Sequence, residues 1–188
     1  MRKGTRTMIV GLSSLPGGGK DFIADILVND YGFYKVSPGD IIRKYMKKYG
    51  DGITREKQQD IQKDLRKKYG NDYIMELCYQ RILHSGKRKI AIPGIRLPTD
   101  ITFYKERFGD NFTNVFIHAP KKLRFDRMVN RKREDAPKTY SEFLKHDARE
   151  TRMFNIDLTM RMSDVSIVND GTKAHIKTEL KKILKGLN

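Results

Sequence analysis

A glycine-rich run near the N-terminus, GLSSLPGGGKDF, constrains the fold of this chain more than any other segment. It follows a short apolar run, Thr7 to Leu12, and it leads into an apolar-periodic segment from Asp21 to Asn29. This order predicts a strand, a tight loop and a helix. Glycines let backbone N–H groups turn inward without a colliding Cβ, and the following helix adds the positive end of its dipole. The run therefore predicts a loop that cradles phosphate groups.

The candidate nucleotide contacts are the residues of this loop and of the helical turn after it. Lys20 supplies a charge for the β and γ phosphates and is the first candidate catalytic residue. Two positions depart from the common G-x-x-x-x-G-K-[ST] pattern, since Ser14 replaces the first glycine and Asp21 replaces the Mg²⁺-binding hydroxyl residue. Because Mg²⁺ prefers oxygen ligands, Asp21 is the candidate metal ligand. The predicted nucleotide-binding residues are Leu15, Pro16, Gly17, Gly18, Gly19, Lys20, Asp21 and Phe22.

The order of strand and helix repeats along the rest of the chain. A lysine-rich segment from its cap Thr54 to Tyr69 has a narrow apolar stripe, which predicts a superficial, movable helix. Asn71 and Ser141 are expected to cap two later helices. Alternating strands and helices favour a parallel sheet with both faces covered, in which ligands bind at the carboxyl ends of the strands. The further strands are predicted at Phe33 to Val36, Lys89 to Ile92, Asn114 to His118 and Val165 to Val168.

Composition excludes several classes of protein. The 188 residues include one cysteine, Cys78, and four histidines, which excludes a disulfide framework and a cysteine-rich zinc site. This cysteine usage indicates a reducing, cytoplasmic setting. No apolar run reaches the roughly 18 to 20 residues that span a bilayer, so we expect a soluble protein without a membrane partner. The formal net charge of +16 predicts an anionic partner, and nucleic acid, an acidic membrane surface and phosphorylated metabolites all meet that description. The chain is expected to be a monomer or a homodimer.

Three further polar residues follow the predicted strands. Asp40 could orient an acceptor oxygen, take its proton or position Mg²⁺ water, and it could equally cap the helix that begins at Ile41. Arg43 and Arg96 are candidates to bind a phosphorylated acceptor, because a guanidinium can donate two parallel hydrogen bonds to a phosphate. In so basic a chain, each arginine could also belong to a solvated surface.

Several segments resemble the P-loop nucleotide and nucleoside monophosphate kinases. LPGGGK, at residues 15–20, is similar to the phosphate loop of adenylate kinase, and VSPGDIIR, at 36–43, looks like the second signature of that family. The Gly-Lys-Asp variant is similar to the loops of phage deoxynucleoside monophosphate kinases and phosphomevalonate kinase. The C-terminal half looks most like an archaeal family related to dephospho-CoA kinase and adenylate kinase. The matching segments are PGIR at 93–96, RKRED at 131–135, DARE at 147–150 and SDVSIVNDG at 163–171.

The resemblance implies a three-layer P-loop kinase fold over residues 1–188, with ATP and Mg²⁺ as cofactors. It implies a mobile acceptor-binding insert at about 41–86 and a short lid at about 131–140. In that lid Arg131 and Arg133 would be catalytic, and Arg149 beyond it would bind the acceptor, unless these arginines form salt bridges with nearby acids. The family also leads one to expect Asp before Gly94. This chain has Pro93 there, so an acid that helps organise Mg²⁺ water is missing.

We expect a kinase that phosphorylates a nucleoside or deoxynucleoside monophosphate. A dephospho-CoA kinase-like activity is the first alternative. The second is a nucleotide-binding RNA or ribonucleoprotein factor with weak ATPase activity, since the charge of +16 exceeds what a metabolite kinase requires.

Overall fold

A parallel sheet forms the centre of the protein. The computed structural model describes residues 7–48, 55–131 and 136–187, and the side chains of residues 48 and 55–59 lie outside this description. Within these ranges the sheet has five strands in the order β2-β3-β1-β4-β5, and every neighbouring pair is parallel. This confirms the predicted α/β fold. The strands are β1 (Met8–Ser14), β2 (Tyr34–Lys35), β3 (Lys89–Ile95), β4 (Phe112–His118) and β5 (Val165–Val168).

Helices connect the strands and cover both faces of the sheet. Those described are α1 (Lys20–Tyr31), α2 (Pro38–Lys48), α3 (Arg55–Tyr69), α4 (Tyr73–Ser85), α5 (Pro98–Phe108), α6 (Lys121–Asn130), α7 (Tyr140–Met153), α8 (Ile156–Met162) and α9 (Lys173–Gly186). None of these helices is both long and apolar enough to cross a lipid bilayer.

The two faces of the sheet carry separate hydrophobic cores. Successive side chains of a strand point to opposite faces, so Ile9 and Val10 of β1 belong to different cores. The core that contains Ile9 also holds residues of β3 and of α2 to α5, whereas the core that contains Val10 holds residues of α1 and α9. The expected acceptor insert therefore joins one face, and the helix behind the phosphate loop belongs to the other.

Several predicted boundaries were wrong. Thr139, and not Ser141, caps α7, because its Oγ1 accepts a hydrogen bond from the Glu142 amide at 3.1 Å. Asp72, and not Asn71, precedes α4. Helix α8 was not predicted, since it follows Asn155 in a left-handed conformation and has no side-chain cap. Residue 54, the predicted cap of α3, lies outside the described residues.

Strand β3 contains an irregularity just before the predicted acceptor residue Arg96. Leu12 pairs with Pro93, but Ser13 pairs with Ile95, so Gly94 has no partner in β1. Gly94 has a φ of 112°, which favours glycine. Proline cannot donate a hydrogen bond to the ladder, and a bulge is one of the few places within a sheet where it is tolerated.

Candidate functional site

The loop between β1 and α1 has the backbone geometry of an anion cradle. Gly17 and Gly19 take left-handed conformations with φ of 79° and 100°. The Ile23 amide makes the first intrahelical hydrogen bond of α1, to the Gly19 carbonyl at 3.0 Å. The amides before Ile23 in this turn have no carbonyl partner within the helix. The loop therefore presents N–H donors at the positive end of the α1 dipole, which favours a bound anion.

Three side chains from distant parts of the chain hold the loop carbonyls at residues 16–18. Arg124 and Arg127 of α6 donate to the first two carbonyls, each at 3.3 Å. Asn169, which follows β5, donates from Nδ2 to the third at 2.8 Å. Arg127 also donates to the Asn169 side chain at 3.0 Å. We did not predict these contacts, because backbone acceptors leave no signature in the sequence.

Two of the same residues, Arg124 and Asn169, approach the loop too closely for any residue but glycine. A Cβ on Gly17 would lie 2.6 Å from the carbonyl oxygen of Arg124. A Cβ on Gly19 would lie 2.2 Å from Nδ2 of Asn169. Both positions also have positive φ, so the glycines predicted as phosphate contacts are required by the protein's own packing as well.

Ser14, which replaces the first glycine of the common pattern, ends β1 beside the loop. Its Oγ is buried and has no hydrogen-bond partner in the described part of the chain. A Cβ on Gly18 would lie 2.8 Å from the Ser14 Cβ. The serine side chain therefore fits this position because residue 18 is a glycine.

Lys20 and Asp21 begin α1 with their charges side by side. Lys20 Nζ lies 3.3 Å from Asp21 Oδ2, and the two side chains are 24% and 52% exposed. Burial lowers the pKa of Lys20; Asp21 opposes this effect, and the charges of Arg96 and Arg131 add to it. Burial would raise the pKa of Asp21, but the Lys20 charge and hydrogen bond, with the charges of Arg131 and Lys35, lower it overall. Two of the predicted arginines thus lie within electrostatic range of the loop.

Asp40 and Asp21 both lie within electrostatic range of Lys35. Lys35 donates a hydrogen bond to Asp25 at 2.7 Å, which raises the pKa of Lys35, and the charges of Asp40 and Asp21 add to the rise. The predicted role of Asp40 as the cap of a helix beginning at residue 41 is wrong, since α2 begins at Pro38. The Asp40 carboxylate instead accepts a hydrogen bond from Arg43, one turn further along α2.

Arg96 is held at its backbone and at its guanidinium. Asp100 Oδ2 accepts hydrogen bonds from the amides of Arg96 and Leu97, each at 3.0 Å. Thr159 Oγ1 of α8 donates to the Arg96 carbonyl at 2.8 Å. Arg96 Nη1 lies 4.0 Å from Oε2 of Glu150, a buried residue of α7. Segments far apart in sequence thus converge on Arg96. This residue follows the carboxyl end of β3, at the same edge of the sheet as the phosphate loop.

The remaining predicted site residues lie at the end of α6, on α7, on α1 or outside the described residues. Arg131 follows the last turn of α6, within electrostatic range of Lys20. Arg149 is exposed on α7 and forms no ion pair with any residue that the structure describes. Phe22 is 39% exposed in the first turn of α1. Arg133 lies outside the described residues, as does most of the charged segment of the predicted lid.

The described side chains suit a metal ion that arrives with a nucleotide. Nucleotide-bound Mg²⁺ takes one or two carboxylates from a protein, and phosphates and waters complete its coordination. Asp21 offers a half-exposed carboxylate at the loop, whereas Pro93 offers no oxygen side chain. Within the described ranges no three His, Cys, Asp or Glu residues form a cluster that could hold a metal.

Comparison with known proteins identifies the family. No protein-family model matches the chain. A protein of Methanothermobacter thermautotrophicus described as "UPF0200 protein" is 34% identical over 182 residues, covering 96% of this chain and 90% of the relative. The chain belongs to the UPF0200 family. Another UPF0200 protein, from Thermococcus gammatolerans, is 32% identical and covers 96% of this chain and 98% of its own.

Solved structures show the fold of this UPF0200 chain. Shikimate kinase from Acinetobacter baumannii, in complex with shikimate, aligns with a TM-score of 0.61 at 17% identity, over 97% of this chain and 95% of that one. Shikimate kinase from Bacteroides thetaiotaomicron aligns with a TM-score of 0.60 at 13% identity, over 96% and 98% of the two chains. The chain therefore has the fold of these kinases, which confirms the predicted P-loop kinase fold.

Proposed function

We propose that this chain is an ATP-dependent phosphotransferase that moves the γ-phosphoryl group to a nucleoside or deoxynucleoside monophosphate. The observation that carries the proposal is the concentration of positive charge at the phosphate loop. Burial, Arg96 and Arg131 lower the pKa of Lys20, and burial and Arg131 lower that of Arg127. Cations that repel one another in this way are stabilised when a polyanion binds between them.

The residues around the loop supply what phosphoryl transfer requires. Such a reaction depends on in-line positioning and on neutralising the charge that spreads over the phosphoryl oxygens. The amides of the loop would bind the phosphates, Lys20 and Arg131 would neutralise the transferring group, and Asp40 would orient the acceptor oxygen. Mg²⁺, held by Asp21, would supply further positive charge to the phosphates of ATP.

Arg43 and Arg96 support a phosphorylated acceptor. Arg43 lies on α2, which packs against α3, α4 and β3 on one face of the sheet, and Arg96 leaves β3 at the edge that carries the loop. Guanidinium groups suit a phosphate monoester, which accepts paired hydrogen bonds. The phosphate groups of dephospho-CoA present similar oxygens, so this molecule is a second acceptor to test.

A coupled assay of ADP release tests the proposal. The acceptors are all ribo- and deoxynucleoside monophosphates and dephospho-CoA, with shikimate as a carboxylate that lacks phosphate. We expect one nucleotide to raise ADP release far above the background hydrolysis of ATP, and Lys20→Ala to abolish the increase. If no nucleoside monophosphate raises ADP release, the proposed acceptor is wrong.

The net charge of +16 keeps an RNA-binding function as a second candidate. Lys173, Lys181 and Lys185 are exposed along α9, and they could contact phosphates of a nucleic acid. A gel-shift titration with RNA at several salt concentrations distinguishes the two candidates. Tight, salt-dependent binding without turnover of any small acceptor would favour the RNA-binding function.

A further inference from the structure

A cavity of about 530 Å³ lies beside the phosphate loop, between α6, α7 and α8. Its apolar walls include Leu15 of the loop, Ala119 after β4 and Ala148 of α7. Cavities that hold small-molecule ligands have volumes of roughly 300 to 1,000 Å³. The cavity is therefore large enough for a ligand, and none of the predicted acceptor residues lines it.

The cavity lies behind the phosphate loop. Arg124 lines it and donates a hydrogen bond to the Pro16 carbonyl at 3.3 Å. The C=O and N–H groups of a trans peptide point in opposite directions, so the Gly17 amide N–H points away from Arg124. A ligand in the cavity would therefore leave the amides of the loop free to bind a nucleotide.

The floor of the cavity is a fixed polar surface. The side chains of Arg124 and Asp147 are 4% and 5% exposed, and the guanidinium donates to both carboxylate oxygens. Thr151 Oγ1 donates to the Asp147 carbonyl at 2.9 Å, and this hydroxyl oxygen can still accept a hydrogen bond. Because these groups bond one another, they hold the floor in one conformation before a ligand arrives, which lowers the entropy cost of binding.

The rim of the cavity carries two cations and one acid. Lys121, Arg152 and Asp157 line it, and all three residues are exposed to solvent. No ion pair or side-chain hydrogen bond joins any of them to the parts of the chain that the structure describes. The net positive charge of the rim favours an anion. A guanidinium and an ammonium group suit phosphate oxygens, whereas the Asp157 carboxylate can accept hydrogen bonds from hydroxyl groups.

We propose that this cavity binds a small phosphorylated metabolite that carries hydroxyl groups, at a site separate from the phosphate loop and from the proposed acceptor site. Lys121 and Arg152 would bind the phosphate, and Asp157 would accept a hydrogen bond from a hydroxyl. Sugar phosphates and mononucleotides share this chemistry, a phosphate monoester on a hydroxylated ring. The site does not depend on the proposed phosphotransfer, so it can be tested without measuring turnover.

Calorimetric titrations with ribose 5-phosphate and with AMP, in the presence of a saturating non-hydrolysable ATP analogue, test the proposal. The wild type should bind at least one of the two probes, and comparison of them distinguishes a sugar phosphate from a mononucleotide. Lys121→Gln and Arg152→Gln should each weaken this binding by about ten- to a hundredfold, the range for a lost hydrogen bond to a charged group. Lys122→Gln is the matched control, since it neutralises an exposed neighbour outside the cavity, and it should change affinity by less than about threefold. Absence of binding to the wild type, or unchanged affinity in Lys121→Gln or Arg152→Gln, would overturn the inference.

Two further variants separate this site from the proposed acceptor site. Arg43→Gln should leave the affinity for the bound probe unchanged, whereas loss of binding in Arg43→Gln with wild-type binding in Arg152→Gln would assign the probe to the acceptor site and overturn the inference. Asp157→Asn should lower the affinity for ribose 5-phosphate relative to that for inorganic phosphate, because the carboxylate accepts from hydroxyls and repels a bare anion. Equal changes for the two anions in Asp157→Asn would contradict a ligand that carries hydroxyl groups.

Discussion

Arg124 donates hydrogen bonds to both carboxylate oxygens of Asp147, at 2.5 and 2.9 Å, and both side chains are buried. The guanidinium also donates to the carbonyls of Ala119 and Pro16. This ion pair therefore connects α6 and α7 to the phosphate loop. Its charges are satisfied within the protein, so removing one partner leaves the other charge buried.

Asp147→Leu should lower the free energy of unfolding by about 3–5 kcal/mol, because Arg124 keeps a buried charge without its partner. The double variant Arg124→Met with Asp147→Leu should recover most of that stability. It should still lose the hydrogen bond from Arg124 to the Pro16 carbonyl, so its nucleotide affinity should be lower than that of the wild type. Urea unfolding and nucleotide titration measure the two effects. As a control, removal of the exposed pair between Lys122 and Asp126 should cost less than about 1 kcal/mol. Full recovery of nucleotide affinity in the double variant would contradict the role of Arg124 at the loop.

Lys20→Ala should leave the protein folded while phosphotransfer falls at least about a hundredfold, the scale of one lost transition-state charge. The measurements are circular dichroism and ADP release with the best acceptor. Lys177→Ala, which breaks a surface ion pair with Asp30, serves as the matched control and should retain full turnover. Unchanged turnover in a folded Lys20→Ala variant would reject the loop as the site of chemistry.

Asp21→Ser should raise the Mg²⁺ concentration needed for half-maximal turnover, because the chain has Pro93 where a second acid is expected. A Mg²⁺ titration of ADP release measures this change. Asp25→Ser removes an acid one turn further along α1 and should leave the Mg²⁺ dependence unaltered. An unchanged Mg²⁺ requirement in Asp21→Ser would remove Asp21 from the metal site.

Asp40→Asn should lower kcat with the true acceptor and leave stability nearly intact. The Asp40 and Arg43 side chains are 46% and 44% exposed, so their ion pair contributes less than about 1 kcal/mol. A role in orienting the acceptor strengthens as the phosphoryl group moves, which makes the loss kinetic. Background ATP hydrolysis should fall much less, whereas equal losses in both reactions would indicate that Asp40 positions the metal. A wild-type rate with the true acceptor would withdraw Asp40 from the site.

Nucleotide binding should take up protons at alkaline pH. Burial lowers the pKa of Lys20 from its usual 10.5, and bound phosphates raise it again because their negative charge favours the protonated amine. Between the free and bound values, binding therefore adds a proton to Lys20. Calorimetry of nucleotide binding just below pH 10.5, in buffers with different ionisation enthalpies, measures this uptake. Lys20→Ala should abolish most of it, and a binding enthalpy independent of the buffer in the wild type would contradict the prediction.

The order of strands and helices and the phosphate loop were predictable because both depend on local patterns. The apolar run before the glycines and the apolar spacing after them determine β1 and α1 without reference to the rest of the chain. The sequence also indicated Lys20, Arg96 and Arg131, and the structure places both arginines within electrostatic range of Lys20.

The contacts that hold the site together were not predictable in this way. Asn169 contacts a carbonyl 151 residues earlier in the chain, and no local pattern encodes such a pairing. The third strand was predicted to end at Ile92, before Pro93, but β3 continues to Ile95, because the bulge at Gly94 allows a proline inside a strand that neighbours two others. The lysine-rich helix α3 was predicted to be superficial, but Leu65 is buried and so is the Nε of Arg66.

The hydrogen bonds from Arg124, Arg127 and Asn169 to the loop carbonyls have a thermodynamic consequence. They fix the conformation of the glycine-rich segment, whose flexible backbone has more conformational entropy to lose than any other. That entropy is lost when the chain folds, so an arriving phosphate does not have to order the loop. The free energy of the contacts between loop amides and phosphate then contributes to affinity almost undiminished.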